Sequence, residues 1–384
     1  MEDQTMESKN ILLISPFFRP NIGGVESALD TFCDVLSKKR KIFVVTYSPL
    51  TTKVKKYSIY EKNKNLHIYR IPWIGLNLFP KVEKIPILAF LYLTPILFIS
   101  SFVFLLFRSR DIDLIDCRGI NGAFIGFLLK KIFKKKTVVT LHSIYGFESN
   151  KFAKIVATIL KSFNLVLTTT TPSLNEVKKL GIKKCQKYSY WVDEEVFIPI
   201  SKDEAKKKLN IPDIFTVLFV GRLLEKKGIL DLIEAVEGMK TSICLLIIGT
   251  GDLKEDIIFK AEQNNQIKFI GTILNTKLPP YYSAADLTVV PSKYEELFGR
   301  VIIESLACGT PVIGTNVGGI SEVLSSDVGL LINPGSQNIS QAISKLQDNN
   351  ILLKDMTKKS RNYILENYSK KNILYIGDLY DNII

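Results

Sequence analysis

Short apolar runs recur along the whole chain, each followed by a segment long enough for a helix. They fall at residues 11–14, 42–46, 68–71, 114–117, 137–141 and 165–169, and again at 217–220, 243–248, 267–270, 287–291 and 312–313. Runs that are continuously apolar, rather than alternating with polar residues, belong to strands covered on both faces. Strands that alternate with helices build a parallel sheet between helical layers. The pattern occurs twice in 384 residues, a length that suits two domains of similar size. The expected fold class is therefore α/β, with two Rossmann-like parallel-sheet domains.

Within this frame, certain polar residues fall where such sheets bind ligands, at the carboxyl ends of strands. Glu296 lies on the loop after the run 287–291, and Glu304 lies in the helical spacing that follows Gly299, roughly two turns in. Gly299 allows a ligand to approach the backbone, and free N–H groups at a helix start suit an anion. Gly23 and Gly24 separate an early strand from a helix, a place where amides reach phosphate. Arg222 and Lys227 follow the run 217–220 and could neutralise a diphosphate. His142 ends the run 137–141. Taken singly, each fits an ordinary turn, a solvated charge or a satisfied buried imidazole equally well.

Taken in order, these segments resemble the retaining glycosyltransferases of family 4, which have the GT-B fold. The resemblance rests on Glu296 and Glu304 at Glu-x7-Glu spacing with Phe298-Gly299 between them. It continues through Ala307-Cys308-Gly309-Thr310-Pro311 and Gly318-Gly319-Ile320-Ser321-Glu322, and includes Gly221-Arg222 with Lys227-Gly228. The segment Val192-Asp193 to Phe197-Ile198-Pro199 is similar to the family's linker, with Tyr190-Trp191 where Asn-Gly is usual. The resemblance implies two domains facing a cleft: 1–190, facing acceptor and membrane, and 191–371, binding the nucleotide sugar. A last helix, 372–384, would cross back to the first domain. It implies that Arg222 and Lys227 hold the donor diphosphate, aided by amides near Gly23, Gly24 and Gly299. Glu304 would hold the ribose diol, and Glu296 the sugar hydroxyls beside the Phe298-Gly299 backbone. His142 would approach the transferred sugar from the first domain. Two fixed cations would take the leaving-group charge without a metal ion. No cofactor is expected; a UDP- or GDP-linked sugar would be the co-substrate, transferred with retention.

Other motifs carry less. Gly249-Thr250-Gly251 follows a strand, but Lys254 stands where a dinucleotide fingerprint needs its third glycine. Asp111 and Asp113 precede a strand rather than follow one, and His67 reads as structural or solvated. The five cysteines are scattered without paired spacing, which points away from zinc sites and disulfides and towards a reducing compartment. A polar, mixed-charge start predicts no cleavable signal peptide.

Charge is uneven. Residues 1–190 carry 30 basic and 13 acidic side chains, whereas residues 191–384 carry 21 and 25. The basic half also contains an uncharged apolar run, 85–107, flanked by Lys81, Lys84, Arg108 and Arg110. Its length could span a bilayer, but a span would separate two halves that must share one cleft. Helices broken at Pro86 and Pro95 and lying at an interface are expected instead. Lys130, Lys131, Lys134, Lys135 and Lys136 follow another apolar helix, 123–129. Apolar surface with lysines is the combination that attaches proteins to anionic membranes. The expected setting is cytoplasmic, peripheral on the inner face of the cell membrane, with a glycan or glycolipid acceptor. Nucleic acid is not expected as a partner, because the aromatics lie in the apolar run rather than among the lysines. The alternatives are a non-catalytic membrane-associated scaffold of the same fold, or another GT-B enzyme such as an epimerase or a phosphorylase.

Overall fold

The computed structural model describes residues 9–21, 23–51, 57–73, 77–83, 85–142, 146, 152–296 and 298–384. Residues 1–8, Ile22, Lys84 and Leu297 lie outside the described residues. The chain forms two units, residues 1–189 with 371–384, and residues 190–370.

The first unit is built on β1 (Ile11–Ile14), β2 (Ile42–Tyr47), β3 (Tyr60–Asn63), β4 (Leu66–Ile71), β5 (Leu114–Arg118), β6 (Lys136–Leu141), β7 (Leu165–Thr168) and β8 (Cys185–Lys187). Their order across the sheet is β3-β4-β2-β1-β5-β6-β7-β8. All pairings are parallel except β3 with β4. β1 sits centrally, with Ile11 opposite both Ile42 and Leu114, and its four residues are fully buried. The helix Lys371–Asp381 closes this unit. Its Tyr380 hydroxyl donates to Asp116 Oδ2 at 2.8 Å, and Asp381 pairs with Arg40 at 3.1 Å.

The run 85–107 is one continuous helix, Pro86–Arg108, and is not broken at its prolines. Pro86 stands in the first turn, where no N–H is needed. Pro95 lies inside the helix with its ring exposed. The turn around it is held by one bond within the helix and two from outside it. Tyr47 donates its hydroxyl to Leu93 O at 2.6 Å, Thr94 Oγ1 donates to Phe90 O at 2.6 Å, and Asn121 Nδ2 donates to Thr94 Oγ1 at 2.9 Å. Tertiary contacts thus offset the lost i→i−4 bond. One face of the helix, Leu93, Leu97, Ser101 and Leu105, is buried. The opposite stripe, Leu88, Leu91, Ile99, Val103 and Leu106, is exposed and wholly apolar.

The second unit carries β9 (Phe215–Val220), β10 (Ile243–Ile248), β11 (Ile267–Gly271), β12 (Leu287–Val290), β13 (Val312–Thr315) and β14 (Gly329–Ile332), all parallel. Their order is β11-β10-β9-β12-β13-β14. The direction of winding reverses between β9 and β12. At this reversal the carboxyl ends of the two strands form the crevice in which ligands bind in such sheets.

Candidate functional site

Two loops meet at this switch point. The first, Gly221–Gly228, leaves β9; the second, Pro291–Gly299, leaves β12. They touch backbone to backbone: Lys293 N donates to Lys226 O at 2.9 Å. Gly228 has a φ of +71°, and a Cβ there would come within 1.9 Å of Pro291 O. No other residue type allows this approach. The Gly249–Gly251 pair has a similar explanation. A Cβ on Gly249 would meet Gly221 O at 1.8 Å, and one on Gly251 would meet Leu223 O at 2.4 Å. This Gly-x-Gly therefore packs one strand-end loop on its neighbour.

Across the junction, Lys227 Nζ pairs with Glu296 Oε1 at 2.8 Å. Glu296 is 8% exposed and also accepts from the Ser292 hydroxyl. Burial disfavours the Lys227 ammonium, but the Glu296 carboxylate and the Tyr294 side chain more than compensate and raise its pKa. The Lys226 and Lys227 ammoniums lie 4.7 and 5.2 Å from the centre of the Tyr294 ring, within cation–π range. The Glu296 backbone is gripped from β13's loop. Gly319 N donates to Glu296 O, and a Cβ on Gly318 would meet that same oxygen at 2.5 Å. Arg222 is exposed on the first loop and makes no ion pair among the described residues. The crevice thus presents one free guanidinium, one ammonium on loan to a carboxylate, and a glycine-lined backbone.

Glu304 stands one turn, not two, into the helix Arg300–Ala307, because the helix begins only at Arg300. It is 4% exposed. Oε1 accepts from Asn275 Nδ2 at 3.0 Å and lies 3.3 Å from Arg300; Oε2 accepts from the Tyr282 hydroxyl at 3.0 Å. Burial and then the Glu304 charge raise the Tyr282 pKa well above that of a free phenol, so it stays a donor. A carboxylate has about four acceptor positions, so one remains for a ligand unless a partner moves. Phe298 is 6% exposed, its ring packed 4.9 Å from Tyr190 and 5.5 Å from Tyr368. Only its backbone is available to a ligand. Gly299, at φ +67°, caps the helix.

The remaining expected residues belong to the first unit. Gly23 is extended and precedes the helix Gly24–Leu36. Asn21 Oδ1 fixes the loop before it by accepting from Leu50 N and Thr51 N, both at 3.0 Å. His142 follows β6. Loss of hydration, with Arg118 adding repulsion, pushes its pKa from 6.5 down to about 3. The imidazole is therefore neutral in the physiological range. Between pH 6.5 and 3 the unfolded chain binds this proton and the folded chain does not. The histidine term should therefore cost stability as pH falls through that window, by up to about 1.4 kcal/mol per pH unit. Asp30 works oppositely. Burial, opposed by Arg19, raises its pKa to about 6, so its contribution is lost as pH rises towards 6. The comparison that isolates His142 is wild type against His142→Gln in urea titrations. Their stability difference should be constant above about pH 7 and move in the variant's favour down to pH 4. A constant difference throughout would exclude the suppressed titration.

The basic cluster is smaller than its sequence suggests. Lys130 donates to Ser162 O at 2.5 Å and Asn164 Oδ1 at 2.8 Å, so its charge is used internally. Lys130 and Lys131 lie inside the helix Gly119–Phe133, which runs beyond the expected 123–129. Lys131, Lys134 and Lys136 remain exposed. His67 is structural, stacked on Phe43 at 5.0 Å and bonded to the Tyr60 hydroxyl at 2.8 Å. Asp113 accepts from Asn10 N at 2.8 Å at the entry to β5.

Ser292, Tyr294, Asn275 and Tyr282 were not singled out from the sequence. The Arg300–Glu304 pair was missed too, although its i,i+4 spacing is a signal for it. Asn275 and Tyr282 had no such signal, since they reach Glu304 only through the fold.

The family profile "Glycosyl transferases group 1" matches residues 201–363. A teichuronic acid biosynthesis glycosyltransferase, TuaC of Bacillus subtilis, is 33% identical over 230 residues, covering 56% of this chain and 56% of TuaC. The glycosyltransferase MJ1607 of Methanocaldococcus jannaschii is 32% identical over 287 residues, covering 68% of this chain and 73% of its own length. Among solved structures, sucrose-phosphate synthase of Thermosynechococcus elongatus aligns over 97% of this chain and 98% of its own, with TM-score 0.79 at 22% identity. HepE of Anabaena, solved with UDP, aligns over 97% and 100% with TM-score 0.75 at 17% identity.

Proposed function

This chain belongs to the group 1 glycosyltransferases, and on that premise we propose that it is a retaining, metal-independent enzyme of family 4 acting at a membrane. Its two α/β units have the GT-B fold. The donor is a UDP- or GDP-linked sugar held on the second unit, and the acceptor is a lipid-linked or envelope glycan. The observation that carries this reading is the Lys227–Glu296 pair across the switch point, 2.8 Å apart, with the exposed Arg222 on the same loop.

The chemistry follows from these groups. The diphosphate takes Arg222 and draws Lys227 away from Glu296, and both cations stabilise it as charge develops on departure. Glu296, released from its ammonium, accepts hydrogen bonds from the sugar. Glu304 takes the ribose. The two glutamates thus have different tasks, unlike the paired carboxylates of glycoside hydrolases. The acceptor attacks from the face the diphosphate leaves, with a phosphate oxygen taking its proton. Neutral His142 offers the sugar a hydrogen bond without adding charge. TuaC, named for teichuronic acid biosynthesis, and HepE, solved with UDP-glucose, are consistent with this substrate class.

The donor reading is tested by thermal shift with UDP-glucose, UDP-N-acetylglucosamine, GDP-mannose, UDP and GDP, with and without EDTA. One nucleotide series should stabilise the protein equally in both conditions, and Arg222→Ala should weaken it about tenfold or more. Folded protein that responds to none of them would overturn the donor assignment.

The membrane reading rests on the helix Pro86–Arg108. It is long and apolar enough to cross a bilayer, yet one face is bonded into the core of the first unit. A helix held on one side and apolar on the other suits an interface. Phe133, next to the exposed lysines, packs 5.5 Å from Phe102 of this helix. Phosphatidylglycerol vesicles should float the protein, and phosphatidylcholine vesicles should do so less. Leu91→Glu with Ile99→Glu should abolish flotation; retention by the double variant would move the attachment elsewhere.

A further inference from the structure

The chain enters the second unit at Tyr190 and leaves it at Lys370. These ends are fastened together: Val192 N donates to Tyr368 O at 2.9 Å, and Lys370 Nζ pairs with Asp193 at 2.6 Å. Both also hold one residue of the loop 291–299. The Phe298 ring lies 4.9 Å from Tyr190 at 45° and 5.5 Å from Tyr368 at 67°. All three are buried, at 5%, 6% and 7% exposure for Tyr190, Phe298 and Tyr368. Tyr368 is steadied in turn, since its hydroxyl donates to Glu322 O at 3.3 Å and its ring lies 5.9 Å from Tyr363. Glu296 is two residues from Phe298. The Glu296 end of the loop is held by polar contacts, from Gly319 N to its carbonyl and from Lys227 and Ser292 to its carboxylate.

We propose that Tyr190 and Tyr368 are positioning residues for the transfer reaction: they clamp Phe298 and so set where the Glu296 carboxylate stands. The proposal rests on the functional reading above. It gives a physical reason for Tyr190 where the resembled family usually has a small polar residue. Rings in edge and tilted contact hold each other's orientation as well as their position, which suits a carboxylate that must meet specific hydroxyls. A displacement of about 1 Å at a reacting centre lowers rate by about 10²-fold.

The test compares Tyr190→Phe, Tyr190→Leu and Tyr190→Ala with wild type, all in the full chain. Hydrogen exchange on the ligand-free protein comes first. Exchange within 291–299 should rise in the leucine and alanine variants and stay at the wild-type level in the phenylalanine variant, with β9 and β12 unchanged in all. Steady-state assays then use whichever of UDP-glucose, UDP-N-acetylglucosamine or GDP-mannose stabilises wild type. Turnover should fall about 10²-fold in Tyr190→Leu, affinity for the free nucleotide should hold within about threefold, and Tyr190→Phe should restore both. Unchanged exchange in Tyr190→Leu overturns the clamp even if no donor is found. Equal loss of nucleotide affinity and turnover overturns it as well, because the ring would then be supporting the whole unit. Failure of every nucleotide to bind wild type would instead remove the donor reading and leave the exchange result standing.

Discussion

Glu296→Gln is expected to lower turnover by about 10²–10³-fold, the scale for losing one group aimed at the reacting sugar, while nucleotide affinity stays level or rises. Two effects push affinity upward. The variant removes a negative charge from beside the diphosphate, and it frees Lys227 from a partner at 2.8 Å. A partly buried pair of this kind is worth about 1 kcal/mol, or several-fold in Kd. Lys227→Ala should do the reverse and weaken nucleotide binding by about 1.5–3 kcal/mol, as for other charge-assisted hydrogen bonds. Calorimetry with the free nucleotide and a donor-consumption assay on both variants separate the cases. If Glu296→Gln lost nucleotide affinity in step with turnover, Glu296 would be holding the nucleotide or the loop rather than the sugar.

Glu304→Ala should cost most in stability. The substitution removes the carboxylate that Asn275 and the Tyr282 hydroxyl donate to and that Arg300 pairs with, and breaking a buried pair from one side costs about 3–5 kcal/mol. For a unit of this size that lowers the melting temperature by roughly 6–20 °C. Glu304→Gln keeps the volume and an acceptor oxygen, so it should fold and allow the ribose role to be read directly. Affinity for the nucleotide should drop about tenfold or more, by the scale of a lost charged hydrogen bond, while affinity for inorganic pyrophosphate is unaffected. A Glu304→Gln protein that binds nucleotide as wild type does would leave Glu304 with a purely structural task.

The fold was legible where burial dictated composition. Ile243–Ile248 has no polar atom outside Cys244 because both faces are covered, and such a run has few alternatives. β3 was not legible: Tyr60–Asn63 is polar and largely exposed, and it pairs antiparallel at the sheet edge. β8, Cys185–Lys187, is a short edge strand with too little apolar pattern to register; β14, Gly329–Ile332, is an apolar edge strand that the sequence reading missed. The helix through Pro95 escaped because its support comes from Tyr47 and Asn121, residues remote in sequence. At the site, Glu296 and Lys227 drew attention separately. That they form one ion pair depends on β9 and β12 being neighbours, which no spacing along the chain encodes.

The place of the last helix bears on how the protein is made. Lys371–Asp381 completes the unit that holds β1, since Tyr380 supplies a hydrogen bond to the buried Asp116 and packs 6.3 Å from Phe32. The second unit, by contrast, is one uninterrupted stretch of chain. On the ribosome residues 190–370 can finish folding while residues 9–189 still wait for the helix Lys371–Asp381, so of these two units the one earlier in the chain closes later. Until that helix docks, Asp116 and Arg118 lack the cover that Tyr380 gives them. A truncated or stalled chain would thus carry a finished second unit joined to an unsealed first one, the kind of defect that proteolytic surveillance detects.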